Sequence, residues 1–190
     1  IAGTIAGRDN DIGVIGVAPD VQLYAIKVFQ DVGYCGAFTS TQINGLNWAV
    51  TKGIRLINIS IGSTGQSFSM DAAMQAANAQ GTYVLAAAGN SGGDMSYPGN
   101  SDYAIGIGAV DGSNNRASWS SYGPALDFVA PGVGITSTMP GGGYGGKSGT
   151  SMATPYAAGV MALSISQGKT LQADIVGAPQ DYGQGRINAL

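Results

Sequence analysis

The apolar residues of this chain fall into short runs, separated by longer segments in which they recur every three or four positions. Two of the longer segments predict helices, one opening at Ser40 and ending at Gly53, the other covering residues 69–80 and ending before Gly81. Clusters of β-branched, aromatic or small apolar residues predict strands at residues 21–29, 56–60, 82–87, 104–110 and 128–130. Strands that alternate with helices predict an α/β fold with a mostly parallel central sheet.

Two further helices are predicted, at the start of the chain and near its end. Residues 1–7 have the character of the middle of a helix, and a helical pattern runs from Ser151 to Leu163 after a glycine-rich loop at residues 141–149. The Ser151 hydroxyl would then lie in the first turn of a buried helix, where unpaired N–H groups and the helix dipole favour negative charge. Most serines at helix starts are N-caps, so the position alone leaves a capping role and a catalytic role open.

Composition narrows the class of protein. The 190 residues, 44% of them hydrophobic, are enough for one globular domain. Only 10% are charged, the net charge is −3 and there is no basic stripe, so nucleic acid is not an expected partner. No apolar run approaches the ~18 residues that spanning a bilayer requires, so no membrane is expected either. Cys35 is the only cysteine, so it is either free or paired with a cysteine outside this chain, and a free buried thiol is the expectation.

Two short strings carry a resemblance to a known family. Residues 149–155 read GTSMATP, which resembles the nucleophile motif of the subtilisin-like serine proteases (subtilases). Residues 86–90 read AAAGN, which resembles the motif that carries the oxyanion-hole asparagine of that family. The family usually has a histidine after the proline, whereas this chain has Tyr156, a change that bears on packing rather than on chemistry. Similar segments continue to residues 185–188, so the resemblance covers essentially the whole chain.

The resemblance implies a subtilisin-like three-layer α/β fold and a serine endopeptidase that cuts peptide bonds through an acyl-enzyme on Ser151. Asn90 and the Ser151 backbone N–H would stabilise the oxyanion that forms during attack. A polypeptide substrate would place the side chain that precedes the scissile bond between two walls. These walls are Ser60, Ile61 and Gly62 on one side, and Ala87, Ala88 and Gly89 on the other.

The slot between these walls is expected to be apolar and to accept a large uncharged side chain, because small residues leave room between two facing backbones. Asp94, in the loop after Asn90, leaves open the alternative that the slot binds a basic substrate side chain. Loops of the Gly-Gly-Asp type are more commonly solvated turns. The edge around residues 33–37 is expected to pair with extended substrate by strand addition.

The loop before residue 19 clusters Asp, Asn and Gly, whose side-chain and backbone oxygens can coordinate Ca²⁺. The resemblance implies a structural calcium ion with a side-chain oxygen from Asn10 and carbonyl oxygens from Ile12 and Val14. A solvated Asx-rich turn explains the same residues equally well. No cofactor is expected for catalysis.

The sequence contains no histidine, although serine is a weak nucleophile until a neighbouring base takes its proton. Residues 1–6 resemble the second half of a family motif in which the first histidine is that base. We therefore expect residues 1–190 to be the C-terminal two-thirds of a single subtilase catalytic domain, truncated at its N-terminus. Its N-terminal strands would be missing, and the catalytic Asp and His would lie upstream of Ile1.

That upstream segment would be a partner of this chain, which is expected to be inactive alone. The whole enzyme is expected to be secreted. The alternative is a pseudoprotease or an inactive fragment that binds peptide without cleaving it. Retention of both Ser151 and Asn90 counts against a long-decayed pseudoenzyme.

Overall fold

The computed structural model describes residues 1–30, 36–174 and 176–188. The helices are α1 (Ala2–Ala6), α2 (Thr39–Thr51), α3 (Phe68–Ala79), α4 (Thr150–Ser166) and α5 (Pro179–Tyr182). The strands are β1 (Leu56–Ile59), β2 (Tyr83–Ala87), β3 (Ile105–Val110), β4 (Phe128–Pro131), β5 (Ile135–Thr138), β6 (Tyr144–Lys147), β7 (Gln172–Asp174) and β8 (Arg186–Asn188). Among the described residues, no helix combines the length and the apolar character that crossing a membrane requires.

Six of the strands form one sheet in the order β1-β2-β3-β4-β8-β7. The strands β1 to β4 and β8 run parallel, whereas β7 pairs antiparallel with β8 at one edge. The strands β5 and β6 form a separate antiparallel hairpin. The prediction of a mostly parallel α/β sheet is therefore confirmed, and the carboxyl ends of β1 and β2 lie side by side at one edge.

Helix α4 is the core helix of the molecule. It packs against β1, β2, β3 and β4, and against α1. Most of its side chains are buried, as expected of a helix that is apolar on all sides. A Cβ atom added to Gly159 would lie 2.5 Å from the Cβ of Val17, so only glycine lets the segment after α1 pass this close. This packing fixes the N-terminus of α4 beside the carboxyl ends of the strands.

The predicted strand at residues 21–29 is wrong, because these residues form no strand. A strand needs a neighbour for its ladder of hydrogen bonds, and none of the described strands pairs with this segment. The segment lies against α2 instead. A Cβ added to Gly45 would be 3.0 Å from Ile26 and 3.3 Å from Val28, and the Tyr24 and Trp48 rings meet edge to face at 5.9 Å.

Other predicted elements differ in detail. The strand β1 is only half-buried, not covered on both faces, because it lies at the edge of the sheet. Helix α3 is capped by the Ser67 side chain, which accepts from the Met70 N–H, so it begins before Ser69. The sequence did not predict the short elements β5 to β8 and α5. Cys35 and residues 33–35 of the proposed substrate-pairing edge lie outside the described part of the chain.

Candidate active site

The N-terminus of α4 meets the carboxyl ends of β1 and β2, the usual place for a ligand site in an open parallel sheet. A cavity of about 240 Å³ opens there. Its lining brings together Ser151, Asn90 and parts of both predicted walls. The described lining residues are Gly62, Ser63, Thr64, Ala87, Gly89, Asn90, Ser96, Thr150 and Ser151. Ile61 and Ala88 are not among them, and Ala88 is fully buried.

Ser151 is the second residue of α4, and the N-cap position is held by Gly149. Ser151 therefore does not cap the helix, which removes the simplest non-catalytic explanation of a serine at this place. Its hydroxyl donates a hydrogen bond of 3.3 Å to the Ser60 carbonyl oxygen, and the Ser60 hydroxyl donates one of 3.1 Å to the Ser151 carbonyl oxygen. Ser60 thus binds the nucleophile candidate directly and does not line the pocket.

Pro155 explains why the Ser151 carbonyl oxygen is free to accept from Ser60. Proline has no N–H, so Pro155, inside α4, cannot donate the helical hydrogen bond to the carbonyl four residues before it. The Ser60 hydroxyl supplies the lost donor, and the Asn58 side-chain amide in turn donates to the Ser60 hydroxyl at 3.1 Å. The first turn of α4 is therefore tied to the end of β1 by side chains rather than by the helix alone.

The orientation of the Asn90 side chain is set by Thr150. Asn90 Oδ1 accepts two hydrogen bonds from Thr150, one of 2.9 Å from its backbone N–H and one of 3.0 Å from its hydroxyl. A backbone N–H can only donate, so the atom that faces it is the amide oxygen. The Asn90 Nδ2 group is then left as a donor, and it lies 3.7 Å from where a Cβ of Gly149 would be.

Two donors consequently face the same space. No described residue accepts a hydrogen bond from Asn90 Nδ2, and the Ser151 N–H lies in the first turn of α4, where a helix has no partner for it. The positive end of the helix dipole adds to their attraction for negative charge. This arrangement can hold an oxyanion next to the Ser151 hydroxyl.

Thr150 was not identified from the sequence, although it links the two parts of the site. Its hydroxyl donates to Asn90 and accepts a hydrogen bond of 3.1 Å from the Gly89 N–H, and the residue is fully buried. The signal was available, because Thr150 directly precedes Ser151 in the GTSMATP string. The role of its side chain could not be assigned from the sequence, because that role depends on the contact between its hydroxyl and Asn90.

The pocket is more polar than predicted, because Ser63, Thr64, Ser96 and Thr150, which carry hydroxyl groups, are among its lining residues. The loop after Asn90 folds back, so that the Ser96 side chain lies between the two walls. A Cβ on Gly62 would be 3.1 Å from the Ser96 Cβ, and a Cβ on Gly89 would collide with the Ser96 hydroxyl. Gly89 also has a φ of +107°, which favours glycine on backbone grounds.

Among the described residues, no ionisable side chain lines this pocket. Asp94, the candidate for selecting a basic guest, is exposed and does not line it. The pocket therefore holds a nucleophile candidate and two donors, while no lining residue can act as the base.

The calcium-ligand candidates Asn10, Ile12 and Val14 line a second depression, beside α1 and the Tyr144 end of the β5–β6 hairpin. The fold thus brings the three together, but they supply neutral oxygens only. Ca²⁺ takes about six to eight oxygen ligands, normally including carboxylates. Within the described residues there is no cluster of three or more His, Cys, Asp or Glu side chains that could hold a metal. The three residues offer some of the oxygen ligands that a calcium ion needs, but not a full set.

Comparison with known proteins agrees with this geometry. Residues 1–178 match the model of the subtilase family. The chain is 44% identical to alkaline elastase YaB of Bacillus sp. (strain YaB) over 100% of this chain and 53% of that protein. It is 43% identical to subtilisin Savinase of Lederbergia lenta, over 100% of this chain and 74% of that protein. Subtilisin NAT of Bacillus subtilis subsp. natto is 44% identical, over 99% of this chain and 53% of its own length.

The chain thus spans about half the length of two of these relatives and about three quarters of the third. The match covers the helix start that holds Ser151, the Asn90 loop and the strands β1 to β4. On the family match and on the identity over its whole length, this chain belongs to the subtilase family.

Proposed function

We propose that the full-length protein containing this chain is a serine endopeptidase that hydrolyses peptide bonds through an acyl-enzyme on Ser151. The observation that carries the proposal is the convergence of the Ser151 hydroxyl with two donors, its own N–H and Asn90 Nδ2, at one pocket. Hydroxyl attack on a peptide carbonyl forms a tetrahedral oxyanion, and donors fixed in advance at that position lower the barrier.

The chemistry requires a base. As the Ser151 Oγ bonds to the carbonyl carbon, its proton passes to the base, which then protonates the departing amine when the C–N bond breaks. Water, deprotonated by the same base, hydrolyses the remaining ester and restores the serine. The sequence has no histidine, and the described pocket lining has no ionisable side chain. We propose that the base and its orienting carboxylate lie in a segment upstream of Ile1.

A serine-directed fluorophosphonate probe tests this proposal in the full-length protein. We expect one covalent adduct, located on Ser151 by peptide mass mapping, because only a serine with a working base is phosphonylated at neutral pH. The Ser151→Ala variant should not react, while Ser148→Ala, which changes the neighbouring exposed serine, should react like the parent. A protein that binds peptide but gives no adduct would instead be the pseudoprotease of the alternative hypothesis.

The proposed substrate is a polypeptide with an uncharged side chain before the scissile bond. No charged side chain is among the described lining residues, and the Ser96 side chain limits the space between the walls. A charged guest would lose its hydration without gaining an ionic partner. Secretion belongs to the same proposal and rests on the family alone.

We propose further that the upstream segment covers an apolar face on residues 21–29 and α2. Leu23, Tyr24, Ile26 and Phe29 are 39–46% exposed, and Trp48 is 41% exposed beside them. No described strand pairs with the outer edge of β1. Exposed apolar side chains and an open strand edge each favour aggregation, so a segment that covers both would remove this hazard.

The isolated 190-residue chain is accordingly expected to aggregate or to lack a cooperative thermal transition, as judged by size-exclusion chromatography and by circular dichroism on heating. Changing Leu23 and Phe29 to lysine should raise its solubility. Phe68→Lys is the matched control, because Phe68 is 89% exposed and lies at the start of α3, and it should have little effect. A soluble monomeric parent chain that unfolds cooperatively would contradict the proposal.

Calcium, if bound at Asn10, Ile12 and Val14, needs further ligands, which we propose come from outside the described residues. In the full-length protein, excess Ca²⁺ should then raise the melting temperature relative to a chelator, since a ligand at about 100 times its Kd stabilises by about 2.7 kcal/mol. Asn10→Ala should remove most of this rise, and Asn44→Ala, on exposed α2 surface, should not. An equal rise in both variants would favour the solvated-turn interpretation.

A further inference from the structure

A polar cluster ties the loop that follows Asn90 to the start of α3. The Tyr97 hydroxyl lies 3.0 Å from the Asp71 carboxylate oxygen Oδ1 and 3.0 Å from the Ser67 carbonyl oxygen. The Ser101 hydroxyl donates to the same Asp71 oxygen at 2.6 Å. Two hydroxyl groups from one loop thus converge on one carboxylate of a neighbouring helix. Hydrogen bonds to an ionised acceptor are shorter and stronger than neutral ones.

Burial and hydrogen bonding hold the Tyr97 side chain in this position. Only 6% of the residue is exposed, and its ring belongs to a core cluster with Met70, Met74 and Val84. Burial and the hydrogen bond to Asp71 raise the pKa of the Tyr97 phenol, so the hydroxyl remains protonated and keeps donating. A buried aromatic ring with a paired hydroxyl holds its backbone more firmly than a loop alone would.

Ser96, directly before Tyr97, lines the pocket, and backbone hydrogen bonds hold this segment in place. The Ser96 N–H donates to the Ala88 carbonyl oxygen at 2.7 Å. Tyr97 and Ser63 exchange two backbone hydrogen bonds, of 2.8 and 2.9 Å. These bonds join the loop to Ala88 of one wall and to Ser63, which directly follows the other wall, and the Ser96 side chain lies between Gly62 and Gly89.

We propose that Asp71 and Tyr97 are positioning residues that hold Ser96 between the pocket walls and so set the side-chain selectivity of the protease. Neither residue lines the pocket, so they act through Ser96. The inference rests on the proposed function and concerns the same site. It adds a carboxylate on α3, which does not touch the substrate, to the wall residues that determine the selectivity.

The inference follows from how Ser96 is held. None of the described residues accepts or donates a hydrogen bond to its side chain, so the backbone bonds and the neighbouring Tyr97 determine its place. Loss of the Tyr97 hydroxyl leaves the ring in the core but removes one of the loop's two hydrogen bonds to Asp71, the one closer in the chain to Ser96. Ser96 then has more freedom to move, and the pocket discriminates less between guests of different size.

The test uses the full-length protein and peptides that differ only in the side chain before the scissile bond, from alanine to phenylalanine. In Tyr97→Phe the ratio of kcat/KM between the best and the poorest peptide should fall by about 3- to 10-fold, the effect of one lost hydrogen bond. The change should appear in KM for the best peptide, with kcat within about two-fold, because the reacting atoms are untouched. Asp71→Asn, which keeps an acceptor without its charge, should give a smaller loss than Asp71→Ala.

Tyr83→Phe is the matched control, since Tyr83 loses the same hydroxyl at the opposite end of β2, where it is exposed. It should leave the selectivity unchanged. Hydrogen exchange of the Ser96 and Tyr97 amides should quicken in Tyr97→Phe and stay unchanged in the control. If the parent and Tyr97→Phe have the same peptide selectivity, or the same rates of amide exchange, this inference is wrong and the proposed function still stands. A parent with no Ser151-dependent cleavage overturns the proposed function, and this inference with it.

Discussion

Replacing Ser151 by alanine in the full-length protein should lower peptide turnover by about 10⁶, a magnitude taken from subtilisin, a member of the same family, and not from this structure. The Oγ of Ser151 is the atom that forms the acyl bond, and no lining residue of the described pocket offers a comparable nucleophile beside both donors. The donors and the pocket remain in the variant, so only a small residual rate should persist. Turnover of a chromogenic peptide at saturating concentration measures the effect.

Ser166→Ala is the control for this change, because Ser166 lies in the last turn of the same helix and its hydroxyl donates to the Leu163 carbonyl oxygen, far from the pocket lining. It should retain the parent's turnover. Should Ser151→Ala retain more than about one thousandth of the parent rate, the nucleophile would have to be another group.

Asn90→Leu has the second largest expected effect, a loss of about 10²–10³ in kcat, again a magnitude measured for subtilisin and borrowed from it. Leucine cannot donate to the oxyanion, whereas the Ser151 N–H, the nucleophile and the base remain. KM should change little, since the lost donor acts mainly on charge that develops in the transition state. Steady-state kinetics with the same chromogenic peptide separates the two parameters.

Two variants test whether the Asn90 amide acts as a donor. Asn90→Asp keeps the oxygen that accepts from Thr150 but loses the Nδ2 donor and adds a negative charge beside the developing oxyanion, so it should be at least as slow as Asn90→Leu. Asn47→Leu makes the same change on the exposed side of α2 and should have no effect on kcat. An Asn90→Leu enzyme with normal kcat and a raised KM would show that Asn90 binds substrate and does not stabilise the transition state.

The alternation of strands and helices was sufficient to predict the parallel sheet, and the resemblance to the subtilases implied the meeting of Ser151 with Asn90. The carboxyl ends of parallel strands share one edge, so loops that follow two such strands must approach each other. The sheet places Asn90 after β2 and Ser60 after β1 at this edge, and α4 brings Ser151 to them. Local composition thus accounts for the sheet, whereas the resemblance of the GTSMATP and AAAGN strings to family motifs accounts for the prediction that the two residues meet.

The inner part of the pocket could not be predicted, because it depends on contacts between distant segments. The segment that carries Ser96 is joined through Tyr97 to Ser63 and to Asp71, which lie 34 and 26 positions earlier in the chain. The strand prediction for residues 21–29 was wrong for a related reason. Their apolar, β-branched composition suits a strand, but a strand also needs a neighbour, and local sequence does not say whether one is present.

Hydrolysis of one chromogenic peptide by the isolated chain, and by the same chain refolded with its upstream segment, tests the central claim most directly. The claim is that these residues hold the nucleophile and the oxyanion donors, while the base lies elsewhere. The account predicts no turnover by the isolated chain, and Ser151-dependent turnover once the segment is restored. Turnover by the isolated chain that disappears in Ser151→Ala would contradict it, since a base would then have to exist among these residues, with Lys147 the first candidate.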